Sequence, residues 1–140
     1  MARLTYIEKE SANPEQEKIL SQLTQRSGKI ANIWKLMSHS PLALETFSMF
    51  YKTLMKGRLD GKLRELAYIK TAVVNDCAYC AEAHKGLARK IGITEDQLQA
   101  ISSYESSNLF TPLEKLVLKY AEELTKTANT QYSLVERFNR

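Results

Sequence analysis

Apolar residues recur at spacings of three and four along nearly the whole chain, and this periodicity constrains the fold more than any other feature of the sequence. Leu63, Leu66, Ile69, Ala72 and Val73 show it most clearly. Such spacing places side chains on one face of an α-helix, whereas a half-buried β-strand alternates apolar and polar residues at every second position. No segment shows convincing strand alternation, so the sequence predicts an all-α fold.

Capping residues predict where successive helices begin and end. Pro14 and Pro41 suit a first helical position, and Gly28, Gly57 and Gly92 suit the positions just past a helix end. These prolines and glycines predict a series of short helices joined by tight turns.

Short polar residues mark further helix starts. Ser40 and Asp76 are the expected N-caps of the helices that begin near residues 41 and 77. Thr94 and Thr111 each open a capping box, because Gln or Glu follows three residues later.

The helix that begins at residue 41 has an unusually apolar sequence. It is predicted to bury a broad face made of Leu44, Phe47, Met49, Phe50, Leu54 and Met55. The aromatic residues expected in the core or at a subunit interface are Trp34, Phe47, Phe50 and Tyr51.

Composition limits the classes of function. The chain has 140 residues, of which 44% are hydrophobic, enough for one compact domain over residues 1–140. Its 20 basic and 16 acidic residues are interspersed, which is typical of solvated helix faces and argues against nucleic-acid binding. No run approaches the ~20 apolar residues of a membrane helix, and the N-terminal stretch lacks the apolar segment of a secretory signal. We therefore expect a cytoplasmic protein that binds neither nucleic acid nor membrane.

Both cysteines of the chain lie in Cys77-Ala-Tyr-Cys80, and His84 follows four residues later. At about 100° per residue, these three side chains fall within roughly 60° of arc on one helix face. An adjacent imidazole and the amino end of a helix both favour the thiolate, which is the nucleophilic form of cysteine. Two sulfurs at positions i and i+3 can also form and reopen a disulfide. The pattern favours a redox centre. Which sulfur attacks stays open, because the position at the helix start favours Cys77 whereas the imidazole four residues later favours Cys80.

Two other interpretations of the cysteine pair stay open. A structural zinc site normally needs four ligands, but only one Cys pair is present and His39 lies far away in a predicted capping turn. Alternatively, the thiols are buried as small apolar groups. Covalent haem attachment is excluded because Ala81, rather than histidine, follows Cys80.

A carboxylate behind the imidazole would orient and polarise it, and Glu65 is the candidate. It lies 12 residues before Cys77 and would approach His84 if its helix turns back before residue 77. The competing interpretation is an ion pair between Glu65 and Lys62 or Lys70.

Two tyrosines are candidates for lining the access to the sulfurs. Tyr79 lies between the cysteines in sequence, and Tyr68 lies on the predicted helix of Glu65. The alternative is that both are ordinary helix-surface tyrosines.

The spacing Glu65-x11-Cys77-x2-Cys80-x3-His84 resembles the signature of alkyl hydroperoxidase D-like proteins of the carboxymuconolactone decarboxylase superfamily. The resemblance covers residues 30–93 and continues more weakly to about Thr125. It implies an all-helical protein that assembles into trimers or hexamers. The decarboxylase branch lacks the cysteine pair, so the lactone reaction is not expected.

The resemblance also implies a chemistry, namely peroxidase or disulfide-reductase activity without haem or metal. Glu65 and His84 would form a proton relay that activates the Cys77/Cys80 pair. One sulfur would attack a peroxide and become a sulfenic acid, and the other would close the disulfide. An external dithiol donor would then restore the pair, so no further cofactor is expected.

Two departures from the family pattern affect this prediction. Some members have histidine in place of Tyr79, and its loss would leave the relay to His84 alone. Members usually continue with more helix beyond the equivalent of residues 133–140, so this chain would be a short or truncated member. Two hypotheses follow: a cysteine-based peroxidase or thiol–disulfide oxidoreductase, or a non-enzymatic helical oligomer that acts as a redox sensor or scaffold.

Overall fold

The computed structural model of the protein describes residues 3–27 and 30–139, with the backbone alone at residues 25–27, 132, 133 and 139. All regular structure in these residues is helical, which confirms the predicted all-α fold. None of the described helices combines the length and apolarity that a membrane crossing requires. The chain clusters into two compact units, Met1–Gly57 and Arg58–Arg140, and the single domain over residues 1–140 stays a prediction.

The first unit contains α1 (Pro14–Ser27), α2 (Asn32–Met37) and α3 (Pro41–Met55), preceded by a 3-10 turn at Lys9–Ser11. Asn13 and Gln16 cap α1 reciprocally, because each side-chain oxygen accepts a hydrogen bond from the other residue's backbone N–H, at 2.9 and 3.0 Å. Gly28, predicted to follow α1, lies outside the described residues. Both α1 and α2 pack against α3.

The broad buried face predicted for α3 is wrong for most of its residues. Leu44 is fully buried, but Phe47, Met49, Phe50 and Leu54 are 40–63% exposed. The periodicity correctly indicated an apolar helix face, but it carries no information about which element covers that face.

The start of α3 also differs in detail from the prediction. Ser40 is the N-cap residue and Pro41 occupies the first turn, as predicted, but the Ser40 side chain makes no capping hydrogen bond. Of the aromatic residues predicted for the core or a subunit interface, three form a half-exposed cluster and Phe50 is 57% exposed, so the core alternative is wrong for them and the interface alternative stays a prediction. The ring centroids of the cluster, those of Trp34, Phe47 and Tyr51, are 5.6–6.4 Å apart.

The second unit contains α4 (Gly61–Val74), α5 (Ala78–Lys90), α6 (Glu95–Ala100), α7 (Pro112–Thr127) and α8 (Tyr132–Glu136), with 3-10 turns at Ile101–Ser103 and Arg137–Asn139. Helix α4 is central and packs against both α5 and α7. The main core cluster comprises Leu66, Ile69, Ala88, Ile93, Leu98, Ile101, Tyr104, Phe110 and Leu118. Val73, which the apolar spacing assigns to the same face of α4 as Leu66 and Ile69, is 37% exposed.

Both predicted capping boxes are formed. Thr94 and Gln97 cap α6, and Thr111 and Glu114 cap α7, each pair through reciprocal side-chain and backbone hydrogen bonds. Glu114 also pairs with Lys62 of α4 at 2.6 Å. This ion pair fixes the start of α7 against the central helix.

A tight reversal between α4 and α5 positions the cysteine pair. Asp76 has a φ of 50°, in the left-handed region, and the Cys77 N–H donates to the Ala72 carbonyl at 2.9 Å. The prediction that Asp76 is the N-cap of α5 is wrong. The N-cap is Cys77, because Asp76 takes the left-handed conformation that ends α4, which an N-cap does not adopt.

Candidate active site

The two cysteines form a disulfide across the first turn of α5, with their Cα atoms 5.3 Å apart. Both are half-buried. The Cys77 sulfur also accepts a hydrogen bond from the Cys80 backbone N–H at 3.3 Å. This sulfur therefore lies at the positive end of the α5 dipole, where negative charge is favoured.

His84 contacts the carboxylate of Glu65, which projects from α4. Nδ1 of His84 lies 2.7 Å from Oε2 of Glu65, and Glu65 is only 1% exposed. An ionised carboxylate can only accept hydrogen bonds, so Nδ1 carries the proton of this bond. In a neutral imidazole this bond selects the tautomer whose Nε2 is a proton acceptor, and within the described residues Nε2 has no hydrogen-bond partner.

Tyr68 stacks on the imidazole from the α4 side. The ring centroids of Tyr68 and His84 are 4.3 Å apart, and the planes differ by 13°. The stacking and the Glu65 hydrogen bond together restrict the orientation of the imidazole. Tyr79 is 56% exposed. A role for these two tyrosines in substrate access stays a prediction.

Arg64 is a site residue that sequence reasoning missed. Its Nε lies 3.8 Å from Oε1 of Glu65, and this buried nitrogen has no hydrogen-bond partner within the described part of the chain. A guanidinium beside a buried carboxylate reduces the electrostatic penalty of burying that charge. The only signal was its position next to Glu65, and adjacent residues on a helix do not generally face each other.

The competing ion pairs of Glu65 with Lys62 or Lys70 are not formed. Lys62 pairs with Glu114, and Lys70 pairs with Glu122 of α7 at 2.9 Å. Both lysines therefore form ion pairs between α4 and α7, and Glu65 pairs with His84 instead.

The Lys70–Glu122 pair belongs to a second charged cluster, between α4 and α7. Lys70 is 3% exposed and lies 4.7 Å above the ring of Tyr104. Glu122 also pairs with Lys126 at 2.5 Å. Burial opposes ionisation of Glu122, but hydrogen bonds from Lys126 and Lys70 outweigh it and lower the pKa of Glu122 to about 2.

The described residues contain no group of three or more His, Cys, Asp or Glu side chains that could hold a metal ion. Nε2 of His39 lies 2.8 Å from the Thr5 carbonyl oxygen, in the first unit. The absence of a metal or other cofactor stays a prediction.

The model of the carboxymuconolactone decarboxylase family matches residues 41–123, which is more than half of the chain. The chain belongs to the carboxymuconolactone decarboxylase family. The matched residues include Glu65, Cys77, Cys80 and His84. Family membership alone does not select a reaction for this chain.

Two individual proteins extend the comparison. A Bacillus subtilis (strain 168) protein, described as uncharacterized protein YdfG, is 27% identical over 86 residues, which are 61% of this chain and 58% of that relative. The crystal structure of an alkylhydroperoxidase AhpD core from Rhodospirillum rubrum ATCC 11170 has a TM-score of 0.63 and 24% identity, covering 95% of this chain and 96% of that one. This member of the carboxymuconolactone decarboxylase family therefore has the AhpD fold, as the sequence resemblance implied.

Proposed function

We propose that the protein is a thiol–disulfide oxidoreductase that reduces hydroperoxides through Cys77 and Cys80. The observation that carries the proposal is the 2.7 Å hydrogen bond between Nδ1 of His84 and the buried carboxylate of Glu65. A merely structural disulfide needs no oriented imidazole on its own helix, whereas a redox-active pair needs a group that exchanges protons with thiols.

The proposed oxidative half-reaction starts from the two thiols. A thiolate attacks one peroxide oxygen, so that an S–O bond forms, the O–O bond breaks and the alkoxide leaves as the alcohol after taking up a proton. The second sulfur then attacks the sulfenic acid, which forms the S–S bond and releases water. Two electrons pass from the dithiol to the peroxide, and the product is the disulfide of this structure.

The reductive half-reaction requires an external dithiol donor. The N-cap position and the Cys80 N–H favour negative charge on the Cys77 sulfur, which makes Cys77 the better leaving group. We therefore propose that the donor thiol attacks Cys80 and gives its proton to Nε2 of His84. The second donor thiol resolves the mixed disulfide and restores both cysteines. Dithiol donors of this kind suit the cytoplasm, where we place the protein.

We also propose that the protein forms a homo-oligomer through an apolar stripe on α3, defined as Leu42, Met49, Phe50 and Leu54. These residues are 47–72% exposed and lie on one side of the helix. Large contiguous apolar patches are rare on monomers, and the family resemblance implies trimers or hexamers. Phe50→Glu should lower the sedimentation coefficient, whereas Leu113→Glu, which replaces an exposed leucine of α7, should leave it unchanged.

The enzymatic proposal is tested by consumption of cumene hydroperoxide with dithiothreitol as donor. We expect turnover by the wild-type protein and none by Cys77→Ser or Cys80→Ser. His84→Gln should lower the rate by about 100-fold, the size typical of a lost general acid–base group. The matched control is Glu82→Gln on α5, whose carboxylate is 70% exposed.

Two outcomes would overturn this proposal. Oxidation of one dithiol per protein without recycling would favour the redox sensor over the enzyme. Approximately one equivalent of zinc bound through the thiolates, in protein purified without chelator, would favour the structural metal site.

A further inference from the structure

The first unit contains a cavity that the redox chemistry does not use. It has a volume of about 550 Å³, within the range of small-molecule sites. Its apolar walls come from Leu23 of α1, Trp34 of α2, and Tyr51 and Met55 of α3. All three helices of the unit thus contribute apolar surface to one concave site.

The polar side of this cavity is basic. Lys52 lies in the last turn of α3, Lys56 is the C-cap residue that follows the helix, and Ser48 lies one turn before Lys52. Neither lysine forms an ion pair with any described residue, and no acidic side chain is among the described residues that line the cavity. The cavity therefore has aromatic and aliphatic walls, and its rim has two ammonium groups that no described acidic residue pairs with.

This combination selects the chemical class of the ligand. An apolar body would contact Trp34, Tyr51 and Met55, and an anionic head would reach the ammonium groups at the rim. A neutral apolar molecule would form no ion pair with the two ammonium groups, and a cation would be repelled by them. We propose that this cavity binds a monocarboxylate with an apolar body, such as a medium-chain fatty acid.

The cavity is distinct from the apolar stripe through which we expect self-association. At about 100° per residue, Ser48, Tyr51 and Met55 point to the side of α3 roughly opposite to Met49 and Phe50. The apolar wall of the cavity and the stripe therefore lie on different faces of α3, whereas Lys52 projects between them, about 60° from Met49. Phe50 lies about 160° from Lys52, so its substitution separates oligomer formation from ligand binding.

Trp34 is the only tryptophan of the chain, so its fluorescence reports on the cavity directly. Titration with sodium decanoate should give a saturable change in this fluorescence. Decanol and decylamine, which have the same chain with a neutral or cationic head, should bind at least about tenfold more weakly. Calorimetry should give the same order of affinities.

The rim is tested by Lys52→Gln/Lys56→Gln, which should weaken decanoate binding by about tenfold and leave decanol binding unchanged. The matched control is Lys18→Gln/Lys90→Gln, which removes the same charge from exposed lysines that do not line the cavity. Circular dichroism checks that both variants are folded.

Equal binding of the three probes, equal decanoate affinity in the two double variants, or no saturable signal would each overturn the inference. The Cys77→Ser/Cys80→Ser variant should bind decanoate as the wild type does. Failure of the redox proposal would therefore leave this result unaffected.

Discussion

Glu65 and His84 are 19 residues apart in sequence, yet Oε2 of Glu65 lies 2.7 Å from Nδ1 of His84. The two residues come from α4 and α5, and the reversal at Asp76 brings them together. Glu65 is followed on α4 by Leu66 and Ile69, both fully buried in the core. The hydrophobic core therefore fixes the position of the carboxylate that orients the imidazole.

Replacing Glu65 with glutamine should test this orientation while preserving the shape of the side chain. The amide can donate as well as accept, so it no longer enforces the His84 tautomer with a free Nε2. We expect kcat/KM for hydroperoxide reduction to fall by about 10- to 100-fold. Nitrogen-15 NMR of His84 should show a changed tautomer ratio. A kcat/KM as high as that of the control variant Glu82→Gln would refute the relay.

Tyr68 should act as a positioning residue through its stack on His84. Tyr68→Leu removes the aromatic face, whereas Tyr68→Phe keeps it. An aromatic pair is worth about 0.5–1.5 kcal/mol, so we expect Tyr68→Leu to lower turnover by about 2- to 10-fold. The ring protons of His84 should lose their upfield NMR shift in Tyr68→Leu and keep it in Tyr68→Phe. A normal rate together with a lost shift would show that the stack does not serve catalysis.

Acid should destabilise the protein partly through Glu122. Its pKa is lowered from the ordinary 4.5 to about 2, so its contribution to stability is complete above about pH 4.5 and is lost as the pH falls toward 2. Glu122→Gln removes these ion pairs and should lower the free energy of unfolding at pH 7. The expected loss is only about 1–2 kcal/mol, because solvent screens the partly exposed pairs. Urea denaturation between about pH 3 and pH 7 should also show a shallower decline in the variant.

The matched control for this titration is Glu136→Gln, which replaces an exposed carboxylate of α8. It should leave both the stability at pH 7 and the acid dependence unchanged. Identical acid profiles for Glu122→Gln and the wild type would contradict the assignment.

Leu66→Ala should reveal how much the central helix contributes to stability. Leu66 is fully buried in the main core, and truncation of such leucines costs about 2–5 kcal/mol. Urea denaturation measures this loss directly. Leu113→Ala on α7 is the control, because Leu113 is 50% exposed and should change stability by less than about 0.5 kcal/mol. Similar losses in the two variants would exclude Leu66 from the stabilising core.

Local sequence rules predicted the features that depend on local chain geometry. The capping boxes at Thr94 and Thr111 formed because their partners lie three residues away on the same turn. The placement of Cys80 and His84 one turn apart on α5 likewise follows from helical periodicity, whereas Cys77 precedes the helix as its N-cap.

Features that depend on contacts between elements were harder to predict. The exposure of Phe50 depends on what packs against α3, and the stack of Tyr68 on His84 depends on how α4 meets α5. Asp76 was predicted as a cap because its side chain suits that role, but its backbone conformation does not. Lys70 and Glu122 are 52 positions apart in sequence, and patterns within one helix cannot predict a pair at that separation.

The first turn of α5 is anchored at two points that do not involve the bond between the sulfurs. The Cys77 N–H binds the Ala72 carbonyl, and the Cys80 N–H binds the Cys77 sulfur. Neither contact requires the S–S bond, so we expect the backbone of this turn to keep its position when that bond opens. Oxidised and reduced molecules would then present nearly the same outline to a binding partner. A similar outline in both states would fit the proposed catalytic cycle better than a redox sensor, which needs a change of shape that a partner can detect.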